Sequence, residues 1–282
     1  MNEPLRPGGD GVDIAAEFRR ATQVLGAGDG KSGRAVTSDL SIDEALLLHS
    51  VGWEPVELVC GVSLISIPSV VWSWGQGEIE AASAAQGTAF EGAVRRIADE
   101  CARAGGHGVV GVHAEVVVER HHADVELVGT AVRPVGAPAR GDVFVSDLSG
   151  RDFALLHQAG WAPVGLAHGA SFVYAPRRSA TTSLKQTREN VELSNFTEAM
   201  YSARELAMER MQQTAITMGG TGIVEVKVSE GPMPFARHAI GFSAWGTAVR
   251  LASEAHSYLR PRVVLSLDDA VVEFAAEALR SP

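Results

Sequence analysis

Cysteine is nearly missing from this chain: Cys60 and Cys101 are the two thiols in 282 residues. Two thiols cannot make a disulfide framework, and they fit a reducing, cytoplasmic setting. Aromatic residues are scarce too, at 6%, so large rings cannot dominate the core. Lysine is rarer still. Only Lys31, Lys185 and Lys227 stand among 24 basic residues, an arginine bias typical of a GC-rich bacterial genome. Basic charge is outweighed by 34 acidic residues, for a net charge of −10. That balance excludes a nucleic-acid binder working by phosphate neutralisation. Nor is there an unbroken apolar run long enough to span a bilayer. Residues 56–74 are nearly all apolar, but they carry Glu57 and are interrupted by Pro68. A spanning helix needs about 20 apolar residues, and the Val and Ile here favour strands, so no membrane span is expected. The opening MNEPLRPGGDG has no apolar stretch behind a basic start, so no secretory signal is expected. Among catalytic signatures the Walker loop, HExxH, GxSxG and CxxC are all missing. Gly26, Gly28, Gly30 and Gly33 lie outside a strand–turn–helix context, which argues against a phosphate cradle. The chain is expected not to be an enzyme.

What the chain has in abundance is glycine, 30 residues, and alanine, 41. Such a composition builds a core by close backbone approach. The sequence also matches itself. SDLSIDEALLLHSVGWEPVELVCGVSLISI at 38–67 aligns with SDLSGRDFALLHQAGWAPVGLAHGASFVYA at 146–175, with 14 of 30 positions identical, where chance gives about two. The offset is 108. It becomes 114 where Gly105 and Gly108 meet Gly219 and Gly222, and 117 where GTAVR recurs at 129–133 and 246–250. Three collinear blocks predict two tandem units of about 100 residues.

Each unit reads as short helix, strand, long helix, two strands. Ser41 with Glu44, and Ser149 with Asp152, are capping boxes, and the Ser-Asp-Leu-Ser stretches around Asp39 and Asp147 are read as part of that capping. Gly52 and Gly160 stop the short helices, and Pro55 and Pro163 begin the strands. The long helices, near 78–104 and 194–218, carry a small-residue ladder at every fourth position. It runs Ala85, Ala89, Ala93, Ile97, Cys101, and again Ala199, Ala203, Ala207, Met211, Ala215. One helix face is therefore small enough to sit close on a sheet, and Cys101 is a filler within it. Gly129 and Gly246 predict a bulge or a close backbone approach. The expected organisation is an N-terminal tail (1–35) with a short helix at 12–25, units at 36–140 and 141–255, and a C-terminal helical tail (256–282).

These residues resemble the YbjQ-like family, named for heavy-metal binding. The pattern is Tyr201, Ala203-Arg204, Ala207, Met211, Ala215, Gly219-Gly220, Gly222-Ile223-Val224 and Gly246-Thr247-Ala248-Val249. The first copy matches it through Ala89, Ala93, Gly105-Gly106, Gly108 to Val112 and Gly129 to Val132, and residues 55–62 are similar to the family's opening strand. The chain departs from the family in being a tandem copy and in replacing a glycine-rich loop with residues 68–77. The resemblance implies an α+β fold of two dodecin-like units, each a long helix on a small antiparallel sheet preceded by a short helix. It also implies a homo-oligomeric, pentameric ring and a transition metal as the ligand to consider.

For that metal, Cys60 aligns with His168 between copies, exchanging one ligand type for another. A closed site needs about four ligands, so Cys60 and His168 would have to act between units or subunits. His49 and His157 are read as helix C-terminal residues. His121-His122, beside Glu119 and Asp124, is a surface pair, and His113 has Lys227 opposite it. The competing reading is a scaffold for a small ligand or protein partner, with Trp72 and Trp74 marking a specialised surface. Trp53 and Trp161 are read as core anchors.

Overall fold

Glycine stops, serine caps and alternating apolar runs divide the chain much as expected. The computed structural model describes residues 36–73, 75–136, 142–175 and 194–253. The elements run α1 (Ile42–Ser50), β1 (Trp53–Ser66), a 3-10 helix (Ser69–Trp72), α2 (Glu80–Arg103), β2 (Gly108–Val118) and β3 (His122–Pro134). They continue with β4 (Phe144–Val145), α3 (Gly150–Gln158), β5 (Trp161–Tyr174), α4 (Ser194–Thr217), β6 (Gly222–Met233) and β7 (Ala236–Leu251). The expected short helix at 12–25 and the C-terminal helical tail at 256–282 lie outside the described residues, as does Trp74.

Local chemistry explains the boundaries. Ser41 accepts from the Glu44 amide while Glu44 reaches back to the Ser41 amide, and Ser149 accepts from the Asp152 amide. Gly52 and Gly160 hold φ of +81° and +80°, the left-handed stop that a side chain would resist. Both first strands start earlier than the prolines suggest, at Trp53 and Trp161. Pro55 and Pro163 sit where the register with β3 and β7 shifts, a place where a missing N–H is tolerated. In the last hairpin β6 continues through Gly231, Pro232 and Met233.

The strands form two sheets, ordered β1-β3-β2-β4 and β5-β7-β6. The first is not purely antiparallel, because β4 adds in parallel to the outer edge of β2. One long helix packs on each sheet, which makes the fold α+β. The contact point is a glycine in each case. A Cβ on Gly61 would stand 2.7 Å from the Ile97 amide nitrogen, and one on Gly169 would stand 2.6 Å from that of Met211. The helix backbone therefore touches the strand, and the alanine ladder permits it: Ala89, Ala93, Ala203 and Ala207 are all buried. Cys101 fills its ladder slot, donating to the Gly108 carbonyl at 3.3 Å, and burial pushes its thiol up to about 11. Helix side chains also bind the edge-strand backbone. Arg96 donates to the Val62 carbonyl at 2.5 Å and Arg210 to the Ala170 carbonyl at 2.7 Å.

Alternation along the strands then sets the layers. Gly169 faces α4, so Leu166, His168, Ala170 and Phe172 face the other way. There they meet α2, with Phe90 stacked on His168. Helix α2 is thus walled by both sheets, and its buried residues include Ser83, Gln86, Phe90 and Gly92 besides the ladder. Trp72 belongs to this seam. It is 4% exposed, packs edge-on against Phe172 and Phe235, and donates from Nε1 to the Arg120 carbonyl. It is a core residue, not the surface marker its lack of a repeat partner suggested.

Gly129 and Gly246 face the register shifts of β2 and β6. A Cβ there would lie 3.0 and 2.9 Å from the carbonyls of Val110 and Val224, so these glycines admit a bulge in the neighbouring strand. Among the described residues no helix is long and apolar enough to cross a membrane.

Candidate functional site

The seam between α2 and the second sheet gathers the unusual polar chemistry. His168 projects from β5 into an apolar wall and stacks on Phe90 with ring centroids 4.1 Å apart and planes 8° from parallel. It is 7% exposed, and burial lowers its pKa to about 3, so the ring is neutral. Its backbone oxygen accepts from the Thr214 hydroxyl at 3.1 Å, but its Nε2 is buried without a hydrogen-bond partner among the described residues. Two neighbours share that state. Trp245, the register partner of His168, has an unpartnered Nε1. Gln86 donates to Ser243 at 2.5 Å but leaves Oε1 unpartnered. Buried polar atoms are ordinarily satisfied, so this row marks the seam as a place where something polar can bind.

A groove of about 890 Å³ opens beside it, between α2, β5 and the C-terminal half of α4. His168 and Leu166 form part of its wall, and Glu80, Glu91, Arg95 and Gln213 contribute polar groups. One end is fixed by an ion pair. Arg210 binds Glu78 through both nitrogens, at 2.5 and 2.9 Å, and Ser171 donates to the same carboxylate. Burial works against the charged Glu78, yet the bonds from Arg210, Ser83 and Ser171 outweigh it and hold its pKa below the ordinary value. The arrangement can enclose a small molecule with polar edges. A neutral imidazole with no carboxylate partner among the described residues does not form an acid–base relay.

A second cluster was missed in the sequence. Asp39 and Asp147 do not cap their helices; Ser41 and Ser149 do. The Thr247 hydroxyl donates to the Asp147 carboxylate at 2.6 Å, the Asp147 amide donates to that hydroxyl at 3.0 Å, and Ser146 shares it at 2.9 Å. Ser38 and Asp39 make the same set with Thr130. Lys227 adds an ion pair to Asp147 at 3.2 Å. This pins the segment before each short helix onto the middle strand of its sheet. Threonine recurrence within GTAVR was the available signal.

The other singled-out residues are spread over the molecule. Cys60 is exposed. Because Gly61 faces α2, Cys60 projects from the opposite face of the first sheet. Its thiol pKa is raised, by burial and then by Glu100, which makes it a weak thiolate donor. The first sheet and α2 thus separate Cys60 from His168. His157 stacks with Phe153 and meets Trp53, which also packs against Phe144 and His107. Trp53 is therefore a core anchor. The His121 Nδ1 bonds the Ser69 hydroxyl at 2.8 Å, and His122 lies 3.9 Å from Glu119. Among the described residues no group of three or more His, Cys, Asp or Glu could hold a metal ion. Within one chain these residues do not fit a heavy-metal centre: His168 supplies a single nitrogen and Cys60 points elsewhere.

Comparison with known proteins bears on these features. A family model described as "Putative heavy-metal-binding", YbjQ_1, matches residues 177–252. The chain is similar to an encapsulin nanocompartment protein, Rv1762c, of Mycobacterium tuberculosis. The two are 34% identical over 247 residues, covering 83% of this chain and 93% of the relative. With the family model matched in its second half and a relative aligned along most of its length, the chain belongs to the YbjQ-like family.

Proposed function

We propose that this chain is a non-enzymatic, self-assembling protein of an encapsulin nanocompartment, working in the bacterial cytoplasm. It is built of two tandem YbjQ-like units, residues 36–140 and 141–255, between terminal tails. The observation that carries the reading is the similarity to the nanocompartment protein, which extends over 93% of that relative rather than over one shared module. Two matched sets of contacts support the two-unit organisation. They are the glycine crossings at Gly61 and Gly169 and the hydroxyl pins at Thr130 and Thr247.

The role this suggests is binding and organisation. The groove beside His168 favours a small, largely apolar ligand with polar edges held between α2 and α4, and the orphaned Nε2 favours a ligand that offers a hydrogen bond. A heavy metal enters this reading only through ligands completed by another copy.

The test is association. Nanocompartments are isolated by sedimentation from cells making a tagged form of this chain, and their proteins are identified by mass spectrometry. The chain is expected to sediment with shell protein and to leave the particle fraction when the shell gene is deleted. Its absence from intact particles refutes the nanocompartment role.

A further inference from the structure

We infer that β6 and α4 of one copy receive β1 and residues 36–40 of a second copy, joining chains head to tail. The inference rests on the two-unit reading and adds the surfaces.

The first observation is an edge. In the first sheet the outer edge of β2 is covered by residues 144–148. The amide of Gly111 donates to the Leu148 carbonyl at 2.7 Å, that of Val112 to the Ser146 carbonyl at 3.1 Å, and that of Ser146 to the Val109 carbonyl at 2.9 Å. Among the described residues β6 is the edge of the second sheet, with Val226 and Val228 42% and 56% exposed. Yet β6 keeps the receiving shape. Its register shifts between Val224 and Lys227 as that of β2 shifts between Val110 and His113. Glu225, which matches Gly111, holds φ at +54° beside the +66° of that glycine, and it is the one described non-glycine residue with positive φ. Side chains resist this conformation. A glutamate held in it points to a backbone shaped to accept a strap.

The strap exists. Residues 36–40, VTSDL, match 144–148, FVSDL. Ser38 and Asp39 are pinned on Thr130 as Ser146 and Asp147 are on Thr247. Within the chain, residues 144–148 reach from the second half onto β2 of the first. The same step taken by residues 36–40 leads off the molecule, onto β6 of another copy.

The second observation is a face, and it points the same way. His168, Ala170 and Phe172 of β5 pack on α2. Their matches on β1 are Cys60, Val62 and Leu64, all exposed, Leu64 by 60%. On α2 the partners are Gln86 and Phe90, whose matches on α4 are Met200 and Arg204. Met200 lines an apolar groove of about 830 Å³ beside Tyr201, which is itself 58% exposed. A second copy placed as the second half sits on the first puts Leu64 into this groove while its strap reaches β6. Both contacts come from one copy and fall on one neighbour, so the interface is heterologous and closes into a ring when the rotation allows. Each chain contributes two units, so such a ring holds an even number of them. A pentameric ring would be five chains and ten units.

The test uses the full chain and two substitutions, Leu64→Lys at an exposed position and Met200→Lys at a half-buried one in the groove, read by size exclusion with light scattering. The wild type is expected at several times 29.7 kDa, and each variant at the monomer mass with unchanged far-ultraviolet circular dichroism. Mixed one to one, the variants are expected to form a dimer and nothing larger, because each retains the surface the other has lost. Hydrogen exchange at Glu225 and Val226 should be slow in the wild-type assembly and fast in both monomers. A wild type that is monomeric, its edge covered by its own terminal segments or by nothing, overturns the self-assembly reading itself. A wild-type assembly that survives both substitutions, or variants that stay monomeric when mixed, overturns only the surfaces assigned here.

Discussion

Protonating His168 should cost the folded state stability. Its pKa is about 3 when folded, against an ordinary 6.5 when exposed. The folded pKa lies below the unfolded one, so the unfolded chain binds the extra proton. Stability is therefore complete above pH 6.5 and falls as pH drops from there towards 3. The slope is about 1.4 kcal/mol per pH unit, or about 2 kcal/mol lost by pH 5. Carboxylates elsewhere add their own slopes, so the measurement is a double difference. Urea unfolding is followed by circular dichroism at pH 7.5 and 5.0, at one protein concentration, for the wild type and His168→Phe. The phenyl ring keeps the stack on Phe90 and removes the orphaned Nε2. At pH 7.5 the variant should match or exceed the wild type, since no partner is stranded by the change. Between the two pH values the wild type should lose about 2 kcal/mol more than the variant. Equal losses would mean that His168 titrates normally and that its buried, neutral state is wrong.

Other changes have equally definite outcomes. Gly169→Ala puts a methyl group into the Ala207–Met211 backbone and should lower stability by about 3 kcal/mol or more, while the same change at Gly87 of α2, a half-buried position where an added Cβ meets nothing within 4 Å, should stabilise or be neutral; thermal melts compare them. Thr247→Val removes the hydroxyl shared by Ser146 and Asp147 and leaves a carboxylate with no exposed side-chain surface paired to Lys227 alone, at about 1–3 kcal/mol by denaturant unfolding. Trp72→Ala should cost about 3–5 kcal/mol, although one half of the chain has no counterpart to this residue. In a zinc titration Cys60→Ala and His168→Ala should act independently, because the two side chains lie on opposite sides of the first sheet and α2.

The parts of the fold that were legible are those written in short periods. Ladder alanines four apart, serine caps and glycine stops each act within a turn or two of chain, and all stand where the residues suggest. What escaped was decided by distant partners. β4 exists because β2 offers an edge, and its two residues carry no strand pattern of their own. Trp72 is buried because Phe172, a hundred residues later, arrives beside it. Asp39 and Asp147 looked like helix caps since they stand beside helix starts, while the hydroxyls that donate to them lie 91 and 100 residues away. The candidate site was half visible. His168 attracted notice as a ligand type, but its isolation depends on Phe90 and on the sheet behind it.

The placement of α2 has a consequence for motion. A helix with one packed face can lift or fray without disturbing the far side of the molecule. Helix α2 is held on two faces, since Gly92 meets Ser63 of the first sheet while Gln86 and Phe90 hold the second, and a stripe through Thr88, Glu91 and Arg95 is left to solvent. Its amides cannot open to solvent unless both sheets loosen together, so its exchange should report the global unfolding equilibrium. Helix α4 packs on a single sheet within one copy, so in a monomer it should open on its own, in smaller and more frequent events. The chain thus has a stiff centre and a compliant outer layer, and that layer carries Met200 and Tyr201.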